Sequence, residues 1–329
     1  MQSPHRISII GLGVMGQRML HNMHRYPGFE VVAAFDPDPA ARRHTQSAFP
    51  AVTVVADAES AIQRDDVGAV YIACPPLWHE THARSAADAG KAVWCEKPLG
   101  VNVQDSTRLV EHVTRAGVVN IVNFSLASAS ATFEIEQQLA SGALGEIRGV
   151  DIRVHFSQWP RAWQMAAAGW LSYREEGGFT REVLSHWIYL SRRLFGPLAL
   201  TGARTRYPDD NLAETHTVAL LDADDVPIGI AGSVGGQGPD LVEYTIWGSK
   251  RSYRILDWNQ LWVCDEGQHD DSPNPAWRAA LPEIADPRET GYANQLDNAA
   301  RALAGEAHSM PDFATALQVQ TLVEDILES

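Results

Sequence analysis

Ile9–Gly16 reads IIGLGVMG. A β-branched run stops on a glycine, glycines recur at Gly11, Gly13 and Gly16, and a segment of helical period follows, with Met15, Met19 and Met23 four residues apart. A strand that feeds a helix through G-x-G-x-x-G needs each glycine for its own reason. Gly11 permits the tight turn, Gly13 lets the backbone come close to a pyrophosphate, and Gly16 lets helix and strand pack tightly. Val14 and Met15 open the helix, whose first N–H groups suit an anion. The stretch therefore reads as a dinucleotide site. Asp36 supports this. It closes the second β-rich run 20 residues after Gly16, where a carboxylate would accept from a ribose 2′-hydroxyl. A carboxylate there also repels a 2′-phosphate, so NAD is expected over NADP. Arg42 and Arg43 stand close enough in sequence to keep NADP open.

Outward from this fingerprint, β-rich runs at Glu30–Phe35, Val52–Val55, Ala69–Cys74, Ala92–Cys95 and Val118–Phe124 alternate with helical segments. That alternation implies a doubly wound parallel sheet with right-handed crossovers over residues 1–124. After residue 125 the rhythm changes. A helix is expected over Thr132–Ser141, then long alternating strands at Ile147–Phe156, Leu198–Thr205, Thr215–Leu221, Pro227–Val234, Leu241–Trp247 and Tyr253–Val263. They imply an α+β domain over 125–329 with a large, mostly antiparallel open sheet. Helical segments are expected at Phe179–Phe195, Gly291–Ala304 and Phe313–Leu327.

The bulk numbers narrow the function classes. The 329 residues are 45% hydrophobic and 20% charged, with a formal net charge of -15. Such a chain builds a sizeable core and is ill-suited to a phosphate backbone, which needs clustered Lys and Arg. No apolar run approaches the roughly 18 residues that a membrane helix requires. Neither a nucleic-acid nor a membrane partner is expected. The N-terminus shows no signal-peptide pattern. Cys74, Cys95 and Cys264 are odd in number and lack a CxxC pair. These features fit a reducing cytoplasm.

Three further stretches carry chemistry. In YIACPPLWHETHA the turn Cys74, Pro75 and Pro76 leaves the fourth strand at the carboxyl edge, where α/β sheets bind ligands. We assign this turn and His79 to the cofactor. His79 and His82 have no further ligands spaced for zinc, so no metal is expected. AVWCEKPLG ends the next strand with Glu96 and Lys97 at that same edge, and Pro98 restricts the geometry of Lys97. EEGGFTREVLSHW sets Glu182 and His186 four apart on one helix face. A partly buried His beside a carboxylate handles protons near neutral pH.

Together these residues resemble the Gfo/Idh/MocA family of NAD(P)-dependent oxidoreductases, named for glucose–fructose oxidoreductase and inositol dehydrogenase. The resemblance spans GLGVMG, the acid of AAFDPD, ACPPLWHETHA, EKP, GALGEI, EGGF…E…H and MPDFATAL. It implies a Rossmann domain, a second domain whose open sheet mediates dimer or tetramer contacts, and an active site between the two. Family substrates are mostly sugars, cyclitols and their oxo forms. Carried over by position, Lys97 and His186 are catalytic, Glu96 contacts the cofactor, and Glu182 replaces the usual Asp. Asn123 and Trp163 are assigned to the substrate. Many members carry an arginine-bearing segment where this chain has VNFSLASAS. Trp159, Trp163 and Trp170, in a tryptophan-rich insert, are either pocket walls for a ring-shaped substrate or core. Two other activities stay open on the same fold: non-redox glycoside cleavage that uses bound NAD transiently, and non-catalytic regulation.

Overall fold

The computed structural model describes residues 3–266, 277–282 and 286–329. By its contacts the chain forms two compact units, 1–127 with 291–320 and 128–290 with 321–329. The single boundary expected at residue 125 is thus replaced by several crossings. The helix over 291–304, placed in the second domain by the sequence, has its contacts with the first unit.

In the first unit, strands β1 (His5–Ile10), β2 (Phe29–Phe35), β3 (Thr53–Val54), β4 (Ala69–Ile72), β5 (Ala92–Cys95) and β6 (Asn120–Val122) form one parallel sheet in the order β3-β2-β1-β4-β5-β6. Helices α1 (Val14–Arg25), α2 (Pro39–Ala48), α3 (Ala58–Ile62), α4 (His79–Asp88) and α5 (Val103–Ala116) make the crossovers. Each strand reads as a near-continuous apolar run because helices cover both faces; β4 is buried at every position. The local signals agree. The Asn102 side chain caps α5 by accepting from the N–H groups of Gln104 and Asp105, and Gly117 ends it at φ 67°.

The register of this sheet collects the site. Ile10 lies opposite both Phe35 and Ile72, Ile72 opposite Cys95, and Cys95 opposite Val122. Parallel strands that end in one row deliver the residues that follow, Gly11, Asp36, Ala73, Glu96 and Asn123, to one sheet edge. The order reverses between β1 and β4, the switch point at which such sheets open a crevice.

In the second unit, helix α6 (Ser130–Ala140) precedes β7 (Ile147–Phe156). The short helix α7 (Ala168–Leu171), a π-helical turn at Thr180–Leu184 and helix α8 (Ser185–Phe195) come next. The expected helix over Phe179–Phe195 is therefore a π turn running into an α-helix. Strands β8 (Ala199–Arg206), β9 (His216–Ala223), β10 (Val226–Val234), β11 (Leu241–Gly248), β12 (Arg251–Leu256), β13 (Gln260–Asp265) and β14 (Arg278–Ala279) complete a sheet ordered β14-β13-β12-β11-β7-β10-β9-β8. All of its pairs are antiparallel except β7 with β10. The single strand expected at Tyr253–Val263 is two, folded at Asp257–Asn259. Helices α9 (Pro287–Leu303) and α10 (Phe313–Leu327) close the chain.

One face of this larger sheet is core. Trp187 of α8 is fully buried and stacks on Tyr244 of β11, centroids 5.6 Å apart at 22°. Arg193 of α8 grips Glu136 of α6 with two bonds of 2.6 and 2.8 Å. On the other face Val218, Leu220 and Trp247 are exposed, Leu220 by 57%. On β11, Tyr244 and Ile246 are buried toward the core, while Trp247 is exposed.

Candidate active site

In the first unit the glycines of the fingerprint separate by role. Gly11 has φ 96°, and a Cβ there would lie 2.5 Å from the Cys74 nitrogen. A Cβ at Gly16 would come within 1.9 Å of the Gly11 oxygen. Both are required by the protein's own packing. A Cβ at Gly13 would meet nothing within 4 Å. That opening faces the start of α1, which has no side-chain cap and no acidic residue in its first turn. Its N–H groups and the positive end of its dipole suit an anion. Gly13, Val14 and Met15 thus fit a dinucleotide pyrophosphate.

Asp36 braces this loop. One carboxylate oxygen accepts from Leu12 N–H at 2.6 Å and the other from Asp38 N–H at 2.8 Å. Arg42 donates to the carbonyls of Asp36 and Pro37 at 2.6 and 3.2 Å and lies over the Phe35 ring, 5.9 Å from its centroid. Its guanidinium is thereby drawn toward backbone, while Arg43 is exposed.

Cys74, Pro75 and Pro76 turn the chain at the end of β4, as the sequence implies. His79 lies differently from expectation. It is buried, with Nδ1 2.8 Å from the Pro98 carbonyl and Nε2 2.9 Å from that of Cys74. Burial pushes its pKa down to about 4, so the neutral ring donates to only one carbonyl at a time. His79 clips the Cys74 turn to the EKP turn, and neither ring nitrogen is left for a nucleotide.

Glu96 is also turned inward, 6% exposed. Its Oε1 accepts from Tyr71 O–H at 2.5 Å and from Asn123 Nδ2 at 2.7 Å. The Asn123 oxygen accepts from Trp94 Nε1 at 3.0 Å and from Gln295 Nε2 at 2.6 Å. Tyr71 and Asn123 come from the strands on either side of β5, so the register itself makes this network. Asn123, assigned to the substrate from sequence, is 4% exposed and held within it. The physical reason is that its amide satisfies buried groups that would otherwise be costly to desolvate. Lys97, next to this braced carboxylate, is half-buried and precedes a cis Pro98.

In the second unit the π turn carries Glu182 and leads to His186, which is 6% exposed. The glycines before it have packing causes. Gly178 has φ 103°, and a Cβ there would lie 2.3 Å from the carboxylate of Glu214. That buried carboxylate accepts from Thr180 N–H at 2.6 Å, and burial raises its pKa. Glu182 Oε1 accepts from Gln164 Nε2 at 3.1 Å, and Gln164 Oε1 accepts from Arg161 at 2.8 Å. The Arg161 guanidinium lies 4.8 Å from the ring centroids of both Phe156 and Trp163. Trp163 is 44% exposed. Trp159 packs on Phe156 and Phe179 and donates to the Leu171 carbonyl at 3.2 Å, which makes it core. The His186 ring stands edge-to-face with Trp258, 5.4 Å between centroids.

Gln164, Trp258 and Gln295 were not read from the sequence. Gln164 sits in the tryptophan-rich insert with no motif around it. Among the described residues, no group of three or more His, Cys, Asp or Glu is placed to hold a metal, and no helix is long and apolar enough to cross a membrane.

Residues 5–124 match the Gfo/Idh/MocA model described as an oxidoreductase family with an NAD-binding Rossmann fold, and residues 133–254 match that family's C-terminal domain. The chain belongs to the Gfo/Idh/MocA family. Among relatives of this Gfo/Idh/MocA protein is 1-carboxy-3-chloro-3,4-dihydroxycyclohexa-1,5-diene dehydrogenase of Comamonas testosteroni, 36% identical over 143 residues. That alignment covers 44% of this chain but only 36% of the relative. A dTDP-3,4-didehydro-2,6-dideoxy-alpha-D-glucose 3-reductase of Saccharopolyspora spinosa is 27% identical, covering 76% of this chain and 74% of its own. In fold, the WlbA dehydrogenase of Bordetella pertussis, solved with NADH and UDP-GlcNAcA, superposes with a TM-score of 0.82 at 22% identity, covering 100% of this chain and 96% of that one.

Proposed function

We propose that this protein is an NAD-dependent oxidoreductase acting on a secondary alcohol or ketone of a sugar, cyclitol or related ring. The observation that carries the reading is the single row of strand ends. It brings the open Gly13 loop, Asp36 and the EKP turn to one sheet edge. The relatives named above, a cyclic diol dehydrogenase and a nucleotide-sugar reductase, support a ring-shaped polyhydroxy substrate. Bound nicotinamide supplies or takes up the hydride. Lys97 hydrogen-bonds the substrate oxygen, and His186 takes up or supplies the hydroxyl proton. Glu182 orients that chemistry, itself steadied by Gln164. The three free thiols support a reducing cytoplasm.

The test is a panel of cyclitols, sugars and keto compounds offered with NAD or NADP and followed by nicotinamide absorbance. Turnover of at least one ring polyol with NAD is expected. Tight NAD binding with no turnover of any compound would overturn the reading in favour of regulation.

Asp36 sets cofactor preference in this reading. Asp36→Ser removes an acceptor for the 2′-hydroxyl and a charge that repels a 2′-phosphate, so kcat/KM should shift toward NADP. An unmutated protein that prefers NADP would show that Arg42 or Arg43 outweighs Asp36.

The outer face of the larger sheet, with Val218, Leu220 and Trp247 exposed, supports a homodimer or homotetramer formed through it. Light scattering at micromolar concentration should report at least a dimer; a monomer would remove this part of the proposal.

A further inference from the structure

The turn between β12 and β13 is built against backbone preference. Asn259 N–H closes it on the Leu256 carbonyl at 3.3 Å. Its two central residues, Asp257 and Trp258, have φ 48° and 74°. Positive φ at both centres is the type I′ pattern, for which Asn-Gly or Asp-Gly is strongly preferred. Here an indole occupies the position that favours glycine. A bulky side chain in that region is a genuine outlier, held only where its surroundings over-determine it.

Two residues at the start of α8 pack against the indole. Trp258 stands edge-to-face on His186, 5.4 Å between centroids and 89° between planes. It also packs on Trp187, 5.1 Å between centroids at 35°. Trp187 is fully buried and stacked on Tyr244. The rings Tyr244, Trp187, Trp258 and His186 therefore form a continuous path from the sheet core to the imidazole. The indole is half-buried, and the strained backbone is what aims it there.

We propose that Trp258 is a positioning residue that fixes the orientation of the His186 imidazole, so that the turn spends backbone strain to hold the ring in one rotamer. This rests on the proton-handling role given to His186 above. An imidazole free to rotate would present its nitrogens wrongly for much of the time, and misplacement of a reacting group by about 1 Å can cost about 10²-fold in rate.

Five variants test it in the full-length protein: Trp258→Gly, Trp258→Phe, Trp258→Leu, His186→Ala and, as a control, Trp258→Ala. Phe and Leu keep the backbone strain and differ in the flat ring; Gly removes both strain and ring. The substrate-free readout is NMR of 13C-labelled histidines, with the His186 signal among the twelve identified by its loss in His186→Ala. That signal should shift and broaden in the Gly and Leu variants and stay near its native position with Phe. On the panel compound that turns over best, Gly and Leu should lower kcat by about 10²-fold with KM little changed, and Phe should restore most of it. Trp258→Gly should melt above a Trp258→Ala control, since only glycine takes this φ without cost. An unchanged His186 signal with unchanged kcat in both Gly and Leu would overturn the proposal. His186→Ala keeping native turnover would overturn the catalytic reading instead, while the His186 signal in the Trp258 variants would still decide the contact.

Discussion

Lys97→Ala should lower kcat by about 10²–10⁴-fold while leaving NAD binding nearly intact, and His186→Ala should do the same. The scale is that of a positioned acid–base group. The separation from binding follows from where each residue sits. The proposed place for the pyrophosphate is the Gly13 loop and the uncapped start of α1, and neither substitution touches it. Lys97 follows a carboxylate already braced by Tyr71 and Asn123, so truncating the lysine leaves that buried network whole. Isothermal titration with NAD alongside steady-state kinetics checks both halves. A variant with near-native kcat removes its residue from the chemistry; a variant that loses NAD binding as steeply as kcat makes its residue a cofactor ligand.

Arg181→Ala costs stability, by about 3–5 kcal/mol, because it strands a buried partner. Arg181 is 8% exposed and grips Glu324 with two bonds of 2.7 and 2.6 Å. It also donates to the carbonyls of Arg174 and Gly177 at 2.6 and 2.9 Å. Removing it leaves the Glu324 carboxylate and both carbonyls without their donor in a site largely closed to water. The Gly177 carbonyl belongs to the turn that leads into Glu182 and His186, so the same change should also loosen the site. Chemical denaturation of the native protein, Arg181→Ala and Arg181→Lys measures it. Lysine keeps the charge but not the fork that meets a carboxylate bidentately, and should recover only part of the loss. A loss below about 1 kcal/mol, the level of an exposed ion pair, would contradict the account.

Much of the first unit was legible because its signals are local. A glycine fingerprint, strand runs and the EKP turn each occupy a few consecutive residues, and parallel pairing then aligns them without further instruction. What escaped the sequence depends on register or on conformation. Glu96 reads as a residue at an open edge. It is internal because β4 and β6 place Tyr71 and Asn123 on either side of it, and those partners are 25 and 27 residues away. His79 reads from the sequence as a cofactor-facing residue at a helix start, yet its two partners are the backbone carbonyls of Pro98 and Cys74, which leave no mark in the sequence. Tyr253–Val263 reads as one strand because the alternation runs straight through Asp257–Trp258–Asn259, a turn without glycine or proline. The π turn before His186 is likewise hidden, since its residues fit an α-helix equally well.

The central claim is hydride exchange between a ring carbon and nicotinamide, and isotopic labelling addresses it directly. The ring polyol that turns over best in the panel is prepared with deuterium on its reacting CH–OH carbon and incubated with NAD and the native protein. Mass spectrometry of the nicotinamide then follows the label. The account predicts reduced nicotinamide that accumulates in step with the oxidised product, each nicotinamide carrying the one deuterium that the substrate carbon has lost. Product that forms while free nicotinamide stays oxidised and unlabelled would contradict it.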